Sequence, residues 1–252
     1  MMMKTIGLIA AMEQECQALR RLEQGWKKIR VGKYQGFQLE ISDQTWVLVT
    51  SGMGLRRAKE AARTLVEAVS PQILVSFGIA GAVETTLNIG DVINAEAVCL
   101  LDGENLGEQS SLGEWPAASR EAMARELSKR GARLIYGTAV TTGGTQYLSD
   151  PSQPLLHPIL EMETAGIAEV ARGYGIPLFS LRAISDGPGA PIPVNLGEMM
   201  DEDANLRVGR LLKTLIGHPG LLFRSLPMLR NTRIAEDNAA IAVGAALLNL
   251  AD

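Results

Sequence analysis

Short strand-like runs separated by helical periodicities restrict this chain more than any other feature. Thr5–Met12 is apolar without interruption, and strand-like runs recur at Ile73–Ile79, Asp91–Leu101, Arg133–Thr141 and Leu178–Ile184. A strand reads as a continuous apolar stretch only when helices cover both faces of its sheet. Helical spacing fills the intervals at Glu13–Leu22, Leu55–Val69, Ala117–Arg130, Thr164–Tyr174 and Glu198–Ile216. The fourth of these is closed by Gly175 and Pro177. Between Ile29 and Val49, β-branched or aromatic residues alternate with polar ones around turns at Tyr34–Gly36 and Ser42–Asp43, which predicts antiparallel strands. The expected architecture is therefore a three-layer α/β/α domain around a mixed, strongly twisted sheet. With 252 residues and no linker or repeat, one large core is expected.

Several function classes are excluded by what the chain lacks. A net charge of −4 leaves no basic footprint for nucleic acid. Arg20-Arg21 and Arg56-Arg57 fall in helical context and read as solvated faces. The two cysteines, Cys16 and Cys99, sit in apolar surroundings and read as buried thiols. His157 and His218 have no second ligand at metal spacing, so no metal is expected. The apolar stretch after Met1–Lys4 is too short for a secretion signal or a membrane span, and a cytoplasmic location is expected. Gly52-Met53-Gly54 follows a strand and opens a helix, as a dinucleotide fingerprint would. However, Arg57 takes the third glycine position and no acid ends the next strand, so a tight turn explains the glycines and no cofactor is expected.

Charged residues at the ends of core elements cost desolvation energy unless a partner or ligand compensates. Glu161-Met162-Glu163 stands at the mouth of an apolar helix, and Arg182-Ala183-Ile184-Ser185-Asp186 ends a strand. In open α/β sheets ligands bind beyond the carboxyl ends of strands, where Glu15, Gly78, Thr142 and Asp186 are expected. Bland alternatives exist for each acid. Asp186 before Gly187-Pro188 could bond its own turn, and Glu161 and Glu163 could complement a helix dipole. Glu15 could be an ordinary early-helix acid.

The order of several motifs resembles the nucleoside phosphorylase/nucleosidase superfamily, and most closely its methylthioadenosine/S-adenosylhomocysteine nucleosidase branch. These motifs are Ile6–Glu15, Ser51–Gly54, Gly78-Ile79-Ala80-Gly81, Leu87–Val92, Glu161–Glu163 and Arg182–Asp186. The resemblance runs from about Thr5 to about Leu215. It implies a catalytic domain over residues 1–216 and a small-molecule nucleoside as partner. A purine leaves an N-ribosyl bond readily only if its N7 gains a proton, and the resemblance gives that donation to Asp186. It gives Glu163 the ribose hydroxyls, Met162 the sugar face, and Glu15 the activation of the attacking water. Arg182 matches an arginine near that water and could anchor Glu15 or Glu163. Glu161, Met53, Gly81, Tyr147 and Ser185 complete the expected substrate contacts.

The chain also departs from that pattern. The base-facing loop reads Thr142-Gly143-Gly144-Thr145-Gln146-Tyr147, Ile79 stands where the nucleosidases have a serine, and Leu196 aligns with an aromatic over the 5′ group. Residues 217–252 are expected to form a helical extension, a hairpin packed on the same domain or on a dimer mate. They are similar to the tail of hopanoid-associated phosphorylase-like proteins, which release adenine from an adenosyl-lipid. The expected activity is hydrolysis of the N-ribosyl bond of a 5′-modified purine nucleoside by a homodimer or higher homo-oligomer. A phosphate-dependent phosphorylase, an adenosyl-lipid nucleosidase and a catalytically weak nucleoside-binding protein remain alternatives. The phosphorylase needs a cationic cradle for phosphate, whereas Glu13 and Glu15 occupy the loop that would supply it.

Overall fold

The computed structural model describes residues 3–143, 154–188 and 219–250, with backbone alone for 219–226. The expected elements Tyr147, Leu196 and the helix Glu198–Ile216 lie outside these residues. Strand β1 (Lys4–Ala10) leads into helix α1 (Glu13–Leu22), and an antiparallel meander follows as β2 (Lys27–Val31), β3 (Tyr34–Ile41) and β4 (Gln44–Thr50). Next come α2 (Leu55–Val69), β5 (Ile73–Ala82), β6 (Val92–Asp102), two short strands β7 (Asn105–Leu106) and β8 (Ser110–Ser111), and α3 (Ala117–Ser128). The rest is β9 (Leu134–Thr142), β10 (Pro158–Glu161), α4 (Thr164–Tyr174), β11 (Leu178–Asp186) and the long helix labelled α5 (Pro219–Leu248).

The sheet order is β10-β9-β6-β11-β5-β1-β4-β3-β2, with β7 and β8 on β6. Two apolar layers flank it, which is the three-layer arrangement predicted. On one face Cys16, Ala18 and Leu19 of α1, Met123 and Leu127 of α3, and the alanines of α5 pack on Ile6, Leu8, Val75 and Phe77. On the other, Ala58, Ala62 and Leu65 of α2 and Ile167, Val170 and Ala171 of α4 pack on Ile9, Val47, Val49 and Leu74. Each fully buried leucine or isoleucine contributes about 2 kcal/mol by leaving water.

Two features differ from a simple open sheet. Strand β10 pairs in parallel with β9 and also antiparallel with the end of β5, through Ile159↔Ala82 and Leu160↔Gly81. A ring of strands is thereby closed from β5 through β11, β6, β9 and β10 back to β5. On its other edge β5 pairs with β11, so β10 must take the edge that β1 occupies earlier. Strand β1 pairs Ile73–Ser76 and β10 pairs Gly81–Ala82, so β5 forks away from β1 and the stretch between has no strand partner on that edge among the described residues. Second, β9 runs opposite to β11, since β6 is parallel to β9 and antiparallel to β11. The expected common rim is thus corrected: the carboxyl end of β9, with Thr142, points the other way from that of β11, and Gly78 lies within β5.

The tail differs too. Among the described residues it is one helix, not a hairpin, and it continues through Pro227. Ala235, Ala239, Ala240, Ala242 and Ala246 are buried, their small side chains letting the helix lie close on the core. Its last carbonyls, which no helical N–H can reach, accept from Ser119 Oγ at Ala246 (2.8 Å) and from Gln44 Nε2 at Leu247 (2.9 Å). Among the described residues no helix is long and apolar enough to cross a membrane, and no cluster of His, Cys, Asp or Glu could hold a metal ion.

Candidate active site

The fork beside β5 is where the polar residues gather. The first turn of α1 covers it, and Glu15, 2% exposed, reaches back with Oε2 to accept the Met12 N–H at 2.8 Å. That bond satisfies one of the N–H groups a helix start leaves unpaired. Oε1 accepts the Ile79 N–H at 3.0 Å, a donor that a neighbouring strand would take in an unforked sheet. Burial raises the Glu15 pKa; Arg182 and the two N–H donors oppose the rise, and Glu236 of α5 adds to it.

Gly78 explains why a carboxylate and a guanidinium can meet here. A Cβ on this residue would overlap Glu15 Oε1 and stand 2.8 Å from Arg182 Nη1. Its φ of 156° also lies in the range that favours glycine. Arg182 extends from the middle of β11 and is 1% exposed. Its Nη2 lies 2.9 Å from Glu161 Oε2 and donates to Ser76 Oγ at 2.8 Å and Thr164 Oγ1 at 3.1 Å. Its Nη1 lies 3.5 Å from Glu163 Oε2. Arg182 therefore anchors Glu161 and Glu163, while it acts on Glu15 through charge.

The two glutamates that flank Met162 are not equivalent. Glu161 ends β10, and its Oε2 accepts the Glu163 N–H (3.0 Å), the Thr164 N–H (2.8 Å) and the Thr164 hydroxyl (2.8 Å), while Thr141 donates to Oε1. This carboxylate caps α4 from below, which is the helix-dipole role weighed for it in the sequence. Its side chain is 0% exposed, so the expected substrate contact from Glu161 has no surface to act through. Glu163 is the N-cap residue of α4, and its Oε1 accepts the Gly54 N–H at 2.9 Å. Gly54 sits at φ 102°, in the turn that also places the half-buried Met53. Burial pushes the Glu163 pKa up to about 7, Arg182 and the Gly54 N–H oppose this, and the charges of Glu161 and Glu15 reinforce it.

Asp186 closes β11 just past a register shift after Ile184. Ser185 Oγ donates to its Oδ1 at 2.6 Å, and its Oδ2 lies 3.0 Å from where a Gly81 Cβ would be. Burial raises the Asp186 pKa and the Ser185 hydroxyl opposes the rise. Gly78 underlies Glu15 and Arg182, and Gly81 underlies Asp186. Gly78 and Gly81 are three residues, about 10 Å, apart along β5. Met162 is half-buried between its two neighbours.

The structure thus gathers Glu15, Glu161, Glu163 and Arg182 at the fork, with Asp186 and Ser185 at the end of β11 beside Gly81 of β5. Sequence reading missed Ser76, Thr141 and Thr164, which hold Arg182 and Glu161. Ser76 was the detectable one, as a lone small polar residue inside the apolar run Ile73–Phe77.

A family model described as Phosphorylase superfamily matches residues 5–217. The chain is 26% identical over 195 residues to the 5′-methylthioadenosine/S-adenosylhomocysteine nucleosidase of Actinobacillus succinogenes, covering 72% of this chain and 85% of that protein. The fold is shared with the nucleosidase of that name from Neisseria meningitidis, solved with methylthio-immucillin-A. There the TM-score is 0.69 at 20% identity, over 97% of this chain and 98% of that one. The futalosine hydrolase of Helicobacter pylori strain 26695 superposes with a TM-score of 0.71 at 18% identity, over 99% of both chains. Matched over most of its length, and with its polar residues gathered at the fork of its sheet, the chain belongs to the phosphorylase superfamily.

Proposed function

We propose that this protein hydrolyses the N-ribosyl bond of a 5′-modified purine nucleoside and releases the free base. The observation that carries the reading is the placement of Glu15 and Asp186 over Gly78 and Gly81 of one strand, with the Glu163–Arg182 pair beside them. The relatives named as 5′-methylthioadenosine/S-adenosylhomocysteine nucleosidases support the substrate class. In this reading Glu163 accepts the two ribose hydroxyls and Met162 lies against the sugar. As the bond from C1′ to N9 breaks, Asp186, its pKa raised by burial, gives a proton to N7 of the purine. Water adds its oxygen to C1′ and gives its proton to Glu15. Met53, Gly81 and Ser185 line the same pocket.

Water is the nucleophile because the site is acidic. Glu15, Glu161 and Glu163 face one guanidinium, and a phosphate dianion would meet like-charge repulsion of about 1 kcal/mol or more per carboxylate. The Ile79 side chain adds no hydroxyl, and its N–H is already given to Glu15. The catalytic unit is assigned to residues 1–216, with 217–252 as a helical extension on the same domain. A cytoplasmic location accords with two buried, unpaired thiols. A homo-oligomeric assembly completes the reading and rests on the family resemblance.

Base release from methylthioadenosine, adenosylhomocysteine, adenosine and inosine, measured with and without phosphate, tests this. Free ribosyl product in phosphate-free buffer, lost in Glu15→Gln, is expected. Ribose 1-phosphate as main product, at a rate saturating in phosphate, would reassign the protein as a phosphorylase. Tight nucleoside binding with no base release would leave a binding protein.

A further inference from the structure

Glu161 presents a chemical oddity. A carboxylate fully removed from solvent is costly unless donors surround it, and here they do so on every side. Three elements supply them: Thr141 from the end of β9, the Glu163 and Thr164 N–H groups and the Thr164 hydroxyl from the start of α4, and Arg182 from β11. Thr141 is itself oriented, since its oxygen accepts the Ala165 N–H at 2.9 Å and its proton is left for Glu161. The same guanidinium is 2.9 Å from Glu161 but 3.5 Å from Glu163. Glu161 therefore holds the cation more closely than the residue assigned to the substrate does. Among the described residues Glu163, 7% exposed in its side chain, keeps the Gly54 N–H and the longer guanidinium contact.

We propose that Glu161 is a positioning residue for ribose recognition. It draws Arg182 towards itself and fixes the backbone of Glu163, and so leaves the Glu163 carboxylate turned to the pocket with acceptor capacity for two vicinal hydroxyls. This rests on the reading that Glu163 takes the ribose diol. Without the Glu161 charge, Arg182 has one carboxylate fewer below it and closes on Glu163. Glu163 then spends its acceptor capacity on the guanidinium instead of on the sugar. The charged groups that face Glu163 are Arg182 from β11, Glu161 from β10 and Glu15 from α1, and Glu15 is faced in turn by Glu236 from α5.

The test is the ratio of kcat/KM for a ribonucleoside to that for its 2′-deoxy analogue, a readout that general loosening of the fold does not move. Glutamine preserves the shape of residue 161 and can place its carbonyl oxygen where Oε2 meets its donors. In Glu161→Gln this ratio is expected to fall about tenfold, the size of one charge-assisted hydrogen bond. The acid limb of kcat/KM against pH should also move to lower pH, because a negative neighbour of Glu163 is removed and its cation approaches. Glu161→Asp keeps the charge and should keep the limb while losing part of the ratio. Thr141→Val takes away the donor on Oε1 and should lower the ratio about threefold, which keeps the proposal testable if the glutamine variant does not fold. Parallel losses on both sugars, with an unmoved pH limb, would overturn the positioning role. Glu163→Gln separates the two ideas: if it leaves the ratio intact, the assignment of Glu163 falls first.

Discussion

Gly78→Ala puts one methyl group at the point where the site is most crowded. The added Cβ would overlap Glu15 Oε1 and come within 2.8 Å of Arg182 Nη1, and neither side chain has solvent to retreat into. To make room, Glu15 must give up the Ile79 N–H. A hydrogen bond to a charged group contributes about 1.5 to 3 kcal/mol, and the abandoned N–H stays buried. Arg182 must also shift away from Glu161 and Glu163, and disturbing a buried ion pair costs up to about 3 to 5 kcal/mol. Both losses need not be complete, so a destabilisation of about 3 to 5 kcal/mol is expected in total. For a domain of this size that lowers Tm by roughly 6 to 20 °C. Whatever folded protein remains should release base at least 10²-fold more slowly, the contribution typical of a displaced general base. Differential scanning calorimetry and a base-release assay on the same preparation give both numbers. A variant that melts within about 2 °C of the parent and turns nucleoside over normally would mean that Glu15 and Arg182 do not converge over this glycine.

Asp186→Asn should bind nucleoside nearly normally yet lose turnover by about 10²-fold or more, because the amide cannot give up a proton to N7; unaltered kcat in a well-folded variant would remove Asp186 from the mechanism. The free protein should also grow less stable as pH rises. Glu163 holds its proton up to about pH 7 when folded, above its ordinary value of 4.5, so the folded chain binds more protons across that interval. The resulting stability is complete below about pH 4.5 and is lost as pH rises through about 7, amounting to at most about 3 kcal/mol. Burial raises Glu15 and Asp186 in the same direction. Thermal melts from pH 5 to pH 7.5 should show Tm falling, and Glu163→Gln should flatten the slope; a Tm that climbs over this range in the parent would contradict the burial of Glu163.

Much of the fold was legible because periodicity reports directly on which faces are covered. The apolar run of β1 and the three- and four-residue spacing of α2 are consequences of burial that need no long-range information. Strand β10 was not legible. Its four residues, Pro158–Glu161, are too few to show a period, and Glu161 reads equally well as the acid of a helix start. Without β10 the ring and the fork are invisible, and with them the reason Gly78 lies at mid-strand rather than at a rim. Glu15, Glu163, Arg182 and Asp186 could be named from the resemblance their motifs carry, but the different surroundings of Glu161 and Glu163 could not. These depend on Thr141, twenty residues earlier, and on which carboxylate Arg182 approaches more closely. The single helix of the tail was not legible either, since a proline normally ends a helix and this one continues through Pro227.

The fork leaves one main-chain amide of β5 answerable to chemistry instead of architecture. Elsewhere in a sheet an N–H is shielded by its neighbouring strand and exchanges with solvent only when the strands part. Among the described residues it is Glu15 that shields the Ile79 amide on that edge. Its exchange rate and nitrogen shift therefore follow the charge and position of a single carboxylate, and the backbone carries a spectroscopic tag for the state of the residue that would activate water.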